Sequence, residues 1–218
     1  MFIPLQMLTS LTFDNPMIFW IAPFAGVLAV VASLILMNRI GKMSPGGPKT
    51  VEVGNAIREG AYAFLKRQYK TIGIITVVLF VLLWIALPYG PTGELNGPFG
   101  VGTAAAFLVG AVASLAAGYI AMDNATKANV RTVAAEKALK TAFYGGATMG
   151  LAVVGLSLLG VSFLFMLYGG FDALFGTLDA AQSASLARNA ASGIVGMGFG
   201  ASLIALFAQL GGGIYTKA

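Results

Sequence analysis

The C-terminal stretch of the chain decides how the rest is interpreted. It reads Phe199-Gly-Ala-Ser-Leu-Ile-Ala-Leu-Phe-Ala-Gln-Leu-Gly-Gly-Gly-Ile-Tyr-Thr-Lys-Ala218. An apolar helix with small residues runs into three glycines and a single cation, Lys217, and no other charge follows Arg188. A membrane helix that ends in this way places its ammonium at the membrane–water boundary, where it can face an anion. From charge placement alone Lys217 is either a snorkelling interfacial lysine without a partner or a residue of a functional site, and the chain looks like part of a larger protein.

The composition is that of a polytopic membrane protein. Hydrophobic residues make up 58% of the 218 residues and charged residues only 10%, whereas a soluble domain carries about 25% charged residues. The chain contains no cysteine and no histidine, which excludes disulfides, thiolate metal sites and imidazole proton shuttles within it. The net charge of +5 does not indicate a nucleic-acid partner, because the cations lie between apolar spans, where they report topology.

The spacing of apolar stretches predicts an all-α fold, a polytopic transmembrane helix bundle that forms part of a larger multi-span bundle. A helix needs about 20 apolar residues to cross a bilayer, and five stretches meet this need. We predict one transmembrane domain over residues 1–218, with spans at about 16–38, 51–87, 99–123, 141–168 and 189–218. The second helix contains no proline between residues 51 and 87, so we expect it to extend well beyond the membrane.

Charge asymmetry predicts the orientation of these spans in the lipid bilayer. Lys and Arg are concentrated in two segments, one that leads into the second span and one that follows the third span. We interpret 39–50 and 123–140 as cytoplasmic loops. The opposite connections carry Asp14, Glu94, Asp172 and Asp179. The positive-inside rule then predicts an integral protein of the cell membrane with its N-terminus outside. The fifth helix runs inward and delivers Lys217 to the cytoplasmic side.

Three segments resemble the membrane-bound, ion-translocating inorganic pyrophosphatases. The most specific is the string Gly211-Gly-Gly-Ile-Tyr-Thr-Lys-Ala218. The others are Ile57-Arg-Glu-Gly-Ala-Tyr-Ala-Phe-Leu-Lys-Arg-Gln-Tyr-Lys70 and Ala125-Thr-Lys-Ala-Asn-Val-Arg-Thr132. They occur in family order, so the resemblance covers nearly the whole chain. Family members have about sixteen spans, so the chain resembles their N-terminal portion.

The resemblance implies a function and a set of partners. Such proteins hydrolyse Mg-pyrophosphate at the cytoplasmic face, drive H+ or Na+ out across the membrane, and work as homodimers. It implies Mg2+ as a cofactor, with K+ as a further candidate, and a site completed by the remainder of the pump. In the family, the lysine that matches Lys217 contacts pyrophosphate, and an aspartate-rich continuation of the same helix binds magnesium. We therefore expect no catalytic residue and no metal ligand in this chain, and no hydrolysis by residues 1–218 alone.

Gln209 lies two turns before Lys217, about 12 Å deeper along the helix. In the family the matching residue belongs to the ion gate and is often arginine, so the resemblance implies a gate or coupling role for Gln209 without the positive charge. A buried amide at this depth needs partners. The alternative is an interhelical hydrogen bond that only holds the bundle together.

Two further features of the sequence allow more than one interpretation. A stripe of small residues on the fifth helix consists of Gly193, Gly196, Gly200 and Ser202. The stripe favours close helix packing over a pathway wall. The two roles are compatible, because a pore between tightly packed helices needs walls of small residues. Asp123 follows directly after an apolar span. It is either a solvated charge at a helix end or the partner of a cation on the second helix.

Two functions from different classes fit the sequence. The first is the N-terminal part of a pyrophosphate-energised ion pump. The alternative is a non-enzymatic membrane bundle, either a channel or secondary-transporter subunit or a structural scaffold, because the spans and their orientation fit it equally well.

Overall fold

The computed structural model describes residues 20–86, 99–169 and 180–217, and in these ranges every long element is an α-helix. The five helices are α1 (Ile21–Gly41), α2 (Pro48–Ala86), α3 (Phe99–Ala134), α4 (Ala138–Leu167) and α5 (Ala180–Lys217). Helices α1 to α4 are long and apolar enough to cross a membrane, and α5 carries a shorter apolar segment, Gly193–Gln209. The predicted all-α membrane bundle is confirmed.

Helix α3 is the centre of the bundle, because it packs against each of the other four helices. Helix α1 lies mainly along α4, and α2 and α5 lie along α3. Ile72 of α2, Ala111 of α3 and Ile204 of α5 are buried together where these three helices meet. A second buried cluster joins Ala106, Leu164 and Met197 from α3, α4 and α5.

The predicted long second helix is confirmed, since α2 runs for 39 residues without a break. At about 1.5 Å per residue it is about 58 Å long, roughly twice the hydrocarbon thickness. It begins at Pro48, a residue suited to the first helical position because its missing N–H has no partner there in any case. Gly46 has a φ of +89°, which a residue with a side chain rarely adopts, and this turn brings the chain from α1 into α2.

The predicted loop at 123–140 is wrong in its secondary structure. Helix α3 continues to Ala134, and only residues 135–137 separate it from α4. The segment 119–134 contains neither glycine nor proline and is rich in alanine, so its charges extend a helix instead of ending it. Helix α5 begins at Ala180, nine residues before the predicted start of the fifth span at residue 189. The predicted start of the first span, at residue 16, lies outside the described residues.

Arg131 of α3 fastens the end of α1. Its guanidinium donates to the carbonyl oxygen of Gly41 at 3.2 Å and to that of Met43 at 3.1 Å, and also to Lys127 O at 3.0 Å on its own helix. The last carbonyls of a helix have no intrahelical partners and carry partial negative charge. A cation placed there satisfies them and ties the turn after α1 to α3.

Candidate functional site

Helix α5 has one face that packs on α3 almost without side chains. A Cβ atom added at Gly196 would lie 2.5 Å from the carbonyl oxygen of Thr103, and one at Gly200 would collide with the carbonyl of Phe107. The contact is reciprocal, because a Cβ at Gly110 of α3 would collide with the carbonyl of Met197. Glycine lets two membrane helices approach at backbone distance, so these positions set how close α5 lies to α3.

Gly193 is also buried on α5, but its neighbour is an aromatic ring. A Cβ at Gly193 would overlap the ring of Tyr168, whose hydroxyl donates to the carbonyl oxygen of Gly102 at 2.6 Å. The glycine therefore makes room for a tyrosine that joins the end of α4 to the start of α3.

The opposite face of α5 is exposed in the described chain and carries small, polar and apolar residues. Its small and polar members are Ala191, Gly198, Ser202, Ala205 and Gln209, and Val195 and Leu206 are exposed beside them. At 100° per residue these seven positions fall within a sector of about 100°, roughly opposite Gly200. The predicted stripe therefore divides: Gly193, Gly196 and Gly200 lie in helix contacts, and Ser202 lies on the free face with Gln209.

Gln209 makes no hydrogen bond to any side chain within the described ranges, although its own turn of α5 is fastened by another helix. Gln68 of α2 donates from Nε2 to the carbonyl oxygens of Phe207 at 3.1 Å and Ala208 at 3.0 Å. In an α-helix these carbonyls also accept from the amides of residues 211 and 212, the first two of the three glycines. Gln68 thus holds α5 at the turn that precedes its most deformable segment.

Helices α3 and α5 run parallel. Gly196 faces Thr103, Gly200 faces Phe107 and Ile204 packs on Ala111, so both helices advance in steps of four. The same register continued along α5 brings the backbone of residue 217 to the level of Asn124. Helix α5 includes Lys217, whose side chain lies outside the described part.

A polar cluster at that level joins α2 to α3. Asp123 of α3 accepts from Arg58 Nη2 at 3.1 Å and from the hydroxyl of Tyr62 at 2.6 Å, and its second oxygen pairs with Lys127. The Asp123 side chain is 13% exposed and that of Arg58 is 43% exposed. Of the two readings of Asp123, the pairing with a cation of the second helix is confirmed. The cluster carries one net positive charge, from two cations and one carboxylate.

The residues that the structure describes do not offer a magnesium site. In the described ranges no three His, Cys, Asp or Glu side chains lie close enough together to hold a metal ion. Asp123, which has the most contacts of the described carboxylates, is already occupied by two cations and a hydroxyl. We assign no magnesium ligand among the described residues.

Sequence reasoning did not assign Tyr62, Gln68 or Tyr69, although all three lie in the segment that carried the resemblance. Tyr69 donates its hydroxyl to the carbonyl oxygen of Leu115 on α3 at 2.7 Å. A usable signal exists, since Tyr62 and Tyr69 are seven residues apart on one face of a helix. Their acceptors include backbone carbonyls, however, which no sequence pattern identifies.

Comparison with known proteins identifies the family to which the chain belongs. The family model described as "Inorganic H+ pyrophosphatase" matches residues 27–218. The chain therefore belongs to the inorganic H+ pyrophosphatase family.

Curated relatives carry names that fit the family. A K+-insensitive pyrophosphate-energized proton pump of Methanosarcina mazei is 41% identical over 202 residues, which are 90% of this chain and 26% of that protein. One of Caldanaerobacter subterraneus is 42% identical over 203 residues, 88% of this chain and 27% of that protein. A Clostridium tetani protein, whose name describes a K+-stimulated pyrophosphate-energized sodium pump, is 41% identical over 199 residues, 89% of this chain and 25% of that protein. The chain spans about a quarter of the length of these relatives.

Proposed function

We propose that the chain is the N-terminal part of a pyrophosphate-energised pump that hydrolyses Mg-pyrophosphate and moves H+ or Na+ across the membrane. The observation that carries the proposal is the family match over residues 27–218. The proton-pump and sodium-pump relatives are equally similar over this region, at 41% identity each. The identity over this region therefore favours neither ion, and the proposal keeps both H+ and Na+.

In this proposal Lys217 contacts pyrophosphate. The parallel course of α3 and α5 supports this role, because it brings residue 217 to the end of the bundle that holds Arg58, Asp123 and Lys127. Polar groups need water or each other, so this end of the bundle is the one that suits an aqueous substrate. A lysine ammonium neutralises charge on phosphate oxygens as the phosphorus–oxygen bond breaks.

Gln209 and Ser202 line the ion pathway in the same proposal, with Gln209 at the gate. Their position supports this assignment, because Ser202 and Gln209 are exposed on the free face of α5 next to Gly198 and Ala205, while Val195 and Leu206 lie along one edge of that face. Small and polar side chains are a poor surface for lipid but a suitable wall for a hydrated ion. Gly193, Gly196 and Gly200 then serve packing.

The remaining parts of the proposal concern the assembly. The pump is a homodimer in the cell membrane, its N-terminus lies outside, and the Lys217 end faces the cytoplasm, where the remainder of the pump supplies the magnesium ligands and the group that activates water. Binding of pyrophosphate draws Lys217 toward the anion, and α5 transmits the displacement to Gln209 through the glycines between them. Residues 1–218 alone then have no hydrolytic activity.

The test uses the full-length protein in sealed vesicles. We expect Lys217→Ala to lower pyrophosphate hydrolysis about 100-fold, the size of effect seen when one charge-stabilising donor is removed, and to lower ion uptake in parallel. Lys66→Ala is the matched control, because Lys66 is an exposed cation on α2 to which the proposal gives no role. Unchanged hydrolysis and uptake in Lys217→Ala would remove Lys217 from the mechanism. A wild-type protein that does not hydrolyse pyrophosphate would overturn the function itself.

A further inference from the structure

A basic groove lies between the end of α1 and the start of α4, away from the site on α5. It has a volume of about 550 Å³ and is open to the surface. Four of its lining residues are cations, namely Arg39, Lys42, Lys137 and Lys140, and one is a carboxylate, Glu136. No lining residue comes from α2 or α5, so the groove is separate from the proposed pyrophosphate site.

The positive charge of the groove is not compensated by contact. Within the described ranges both ion pairs involve Asp123, so no carboxylate oxygen lies within 4 Å of any of the four cations of the groove. Lys140 approaches the ring of Tyr144, with 5.6 Å between Nζ and the ring centroid. Cations that no carboxylate neutralises attract an external anion.

The start of α4 adds to the attraction. Lys137 precedes the helix and provides no side-chain cap. The first N–H groups of a helix have no intrahelical acceptors, and they carry the positive end of the helix dipole. The positive end of the α4 dipole therefore adds to the field of the side-chain cations at this end of the groove.

Exposed apolar residues near the cations favour an anion that also has an apolar part over a small inorganic anion. Leu139 is 86% exposed and Phe143 is 70% exposed, and they are one turn apart on the first two turns of α4. Free phosphate or pyrophosphate gains nothing from these side chains. A lipid buries its acyl chain against them while its phosphate occupies the basic groove.

We infer that this groove binds the phosphate headgroup of an anionic phospholipid. The lipid joins the end of α1 to the start of α4 and holds that end of the bundle at the membrane surface. Each Lys or Arg near an anionic membrane surface adds about fivefold to binding. Removal of two such charges is expected to weaken binding on the order of 20-fold.

The experiment places the full-length protein in nanodiscs of phosphatidylcholine with a minority of phosphatidylglycerol. The probe is a phosphatidylglycerol with a photoreactive group on its acyl chain, and adducts are mapped by mass spectrometry. We expect adducts on residues 138–144, with a yield that falls on the order of 20-fold in Lys42→Gln/Lys140→Gln. The matched control, Lys66→Gln/Lys70→Gln, removes the same charge from α2 and should keep the wild-type yield.

Further arms separate the lipid from other occupants. Leu139→Ser/Phe143→Ser should lower the adduct yield, and a photoreactive phosphatidylcholine should label the groove no better than the rest of the surface. Equal yields in the groove variant and the α2 control would overturn the inference. So would a wild-type protein without adducts at 138–144, which would mean that the remainder of the protein covers the groove, or complete displacement of the probe by inorganic phosphate. Equal melting temperatures of the variants would exclude loss of the fold as the cause.

Discussion

Helix α3 meets α5 and α2 in two different ways. Against α5 the contact is one of shape, because Gly110, Gly196 and Gly200 allow backbone to lie on backbone. Against α2 the contact is polar: Asp123 accepts from Arg58 and Tyr62, and Tyr69 donates to a carbonyl. The comparison shows that one central helix can hold a neighbour by excluding side chains on one flank and by pairing them on the other.

The two interfaces differ in what they tolerate. A glycine contact has no space for an added atom, but it does not depend on charge or salt. A polar contact tolerates small displacements, but it fails when one partner is removed and the others stay behind. Glycine contacts therefore suit the helix that carries the proposed gate, because they keep its position without polar groups that would compete for an ion.

The largest effect is expected at the glycine interface. Gly200→Leu drives a side chain into the backbone of α3 at Phe107, and we expect a destabilisation of about 3 kcal/mol, at the upper end for overpacking. Gly150→Leu is the control, because Gly150 has no atom within 4 Å of an added Cβ in the described structure. Thermal unfolding of the full-length protein in detergent measures both. Equal melting temperatures for the two variants would contradict the tight contact.

A smaller effect is expected at the polar interface. Asp123→Ala removes the acceptor of Arg58, Tyr62 and Lys127 and leaves two like charges side by side. Because Arg58 is 43% exposed, solvent screens much of the loss, and we expect about 1–2 kcal/mol. Tyr62→Phe should cost less, because it removes one of the three bonds. If added salt lowers the stability of the wild type but not that of Asp123→Ala, the charges carry the contact. Equal stability of the wild type and Asp123→Ala would show that the cluster does not stabilise the fold.

The smallest effect is expected where α2 touches α5. Gln68→Leu removes two donors from carbonyls that keep their helical partners, so we expect about 1 kcal/mol or less. The informative measurement is amide hydrogen exchange, which should rise for residues 205–213 and not elsewhere. Tyr69→Phe is the counterpart, since it should raise exchange on α3 near Leu115 instead. Uniform exchange changes in both variants would show that neither side chain anchors a particular helix.

Much of the fold could be predicted from the sequence, because apolar length, proline positions and helical spacing are local properties. They identified the helical class and the long α2 helix, and they marked Gly193, Gly196 and Gly200 as contact residues. The segment 123–140 was interpreted as a cytoplasmic loop from its charges, and the structure shows that it is helical as far as Ala134. In α3 the charged turns face Arg58 and the turn after α1, and partners there let the helix continue.

The candidate site could be predicted only in part. Lys217 and Gln209 were assigned from their position on an apolar helix and from the resemblance, and their roles stay predictions. Ser202 was grouped with the glycines by spacing alone, and the structure separates it from them because a helix places residues 200 and 202 about 160° apart. Gln68 could not be found, because its acceptors are the carbonyls of Phe207 and Ala208, and every residue has a carbonyl.

The sequence by itself determined that this chain forms long apolar helices, which family it resembles, and where its cations lie along the chain. The tertiary structure alone decided which face of α5 is closed by α3 and which stays free, and which cation Asp123 pairs with. The physical reason is that helix formation and hydrophobicity depend on neighbours within a few residues. The approach of two backbones, by contrast, depends on residues nearly a hundred positions apart, such as Thr103 and Gly196.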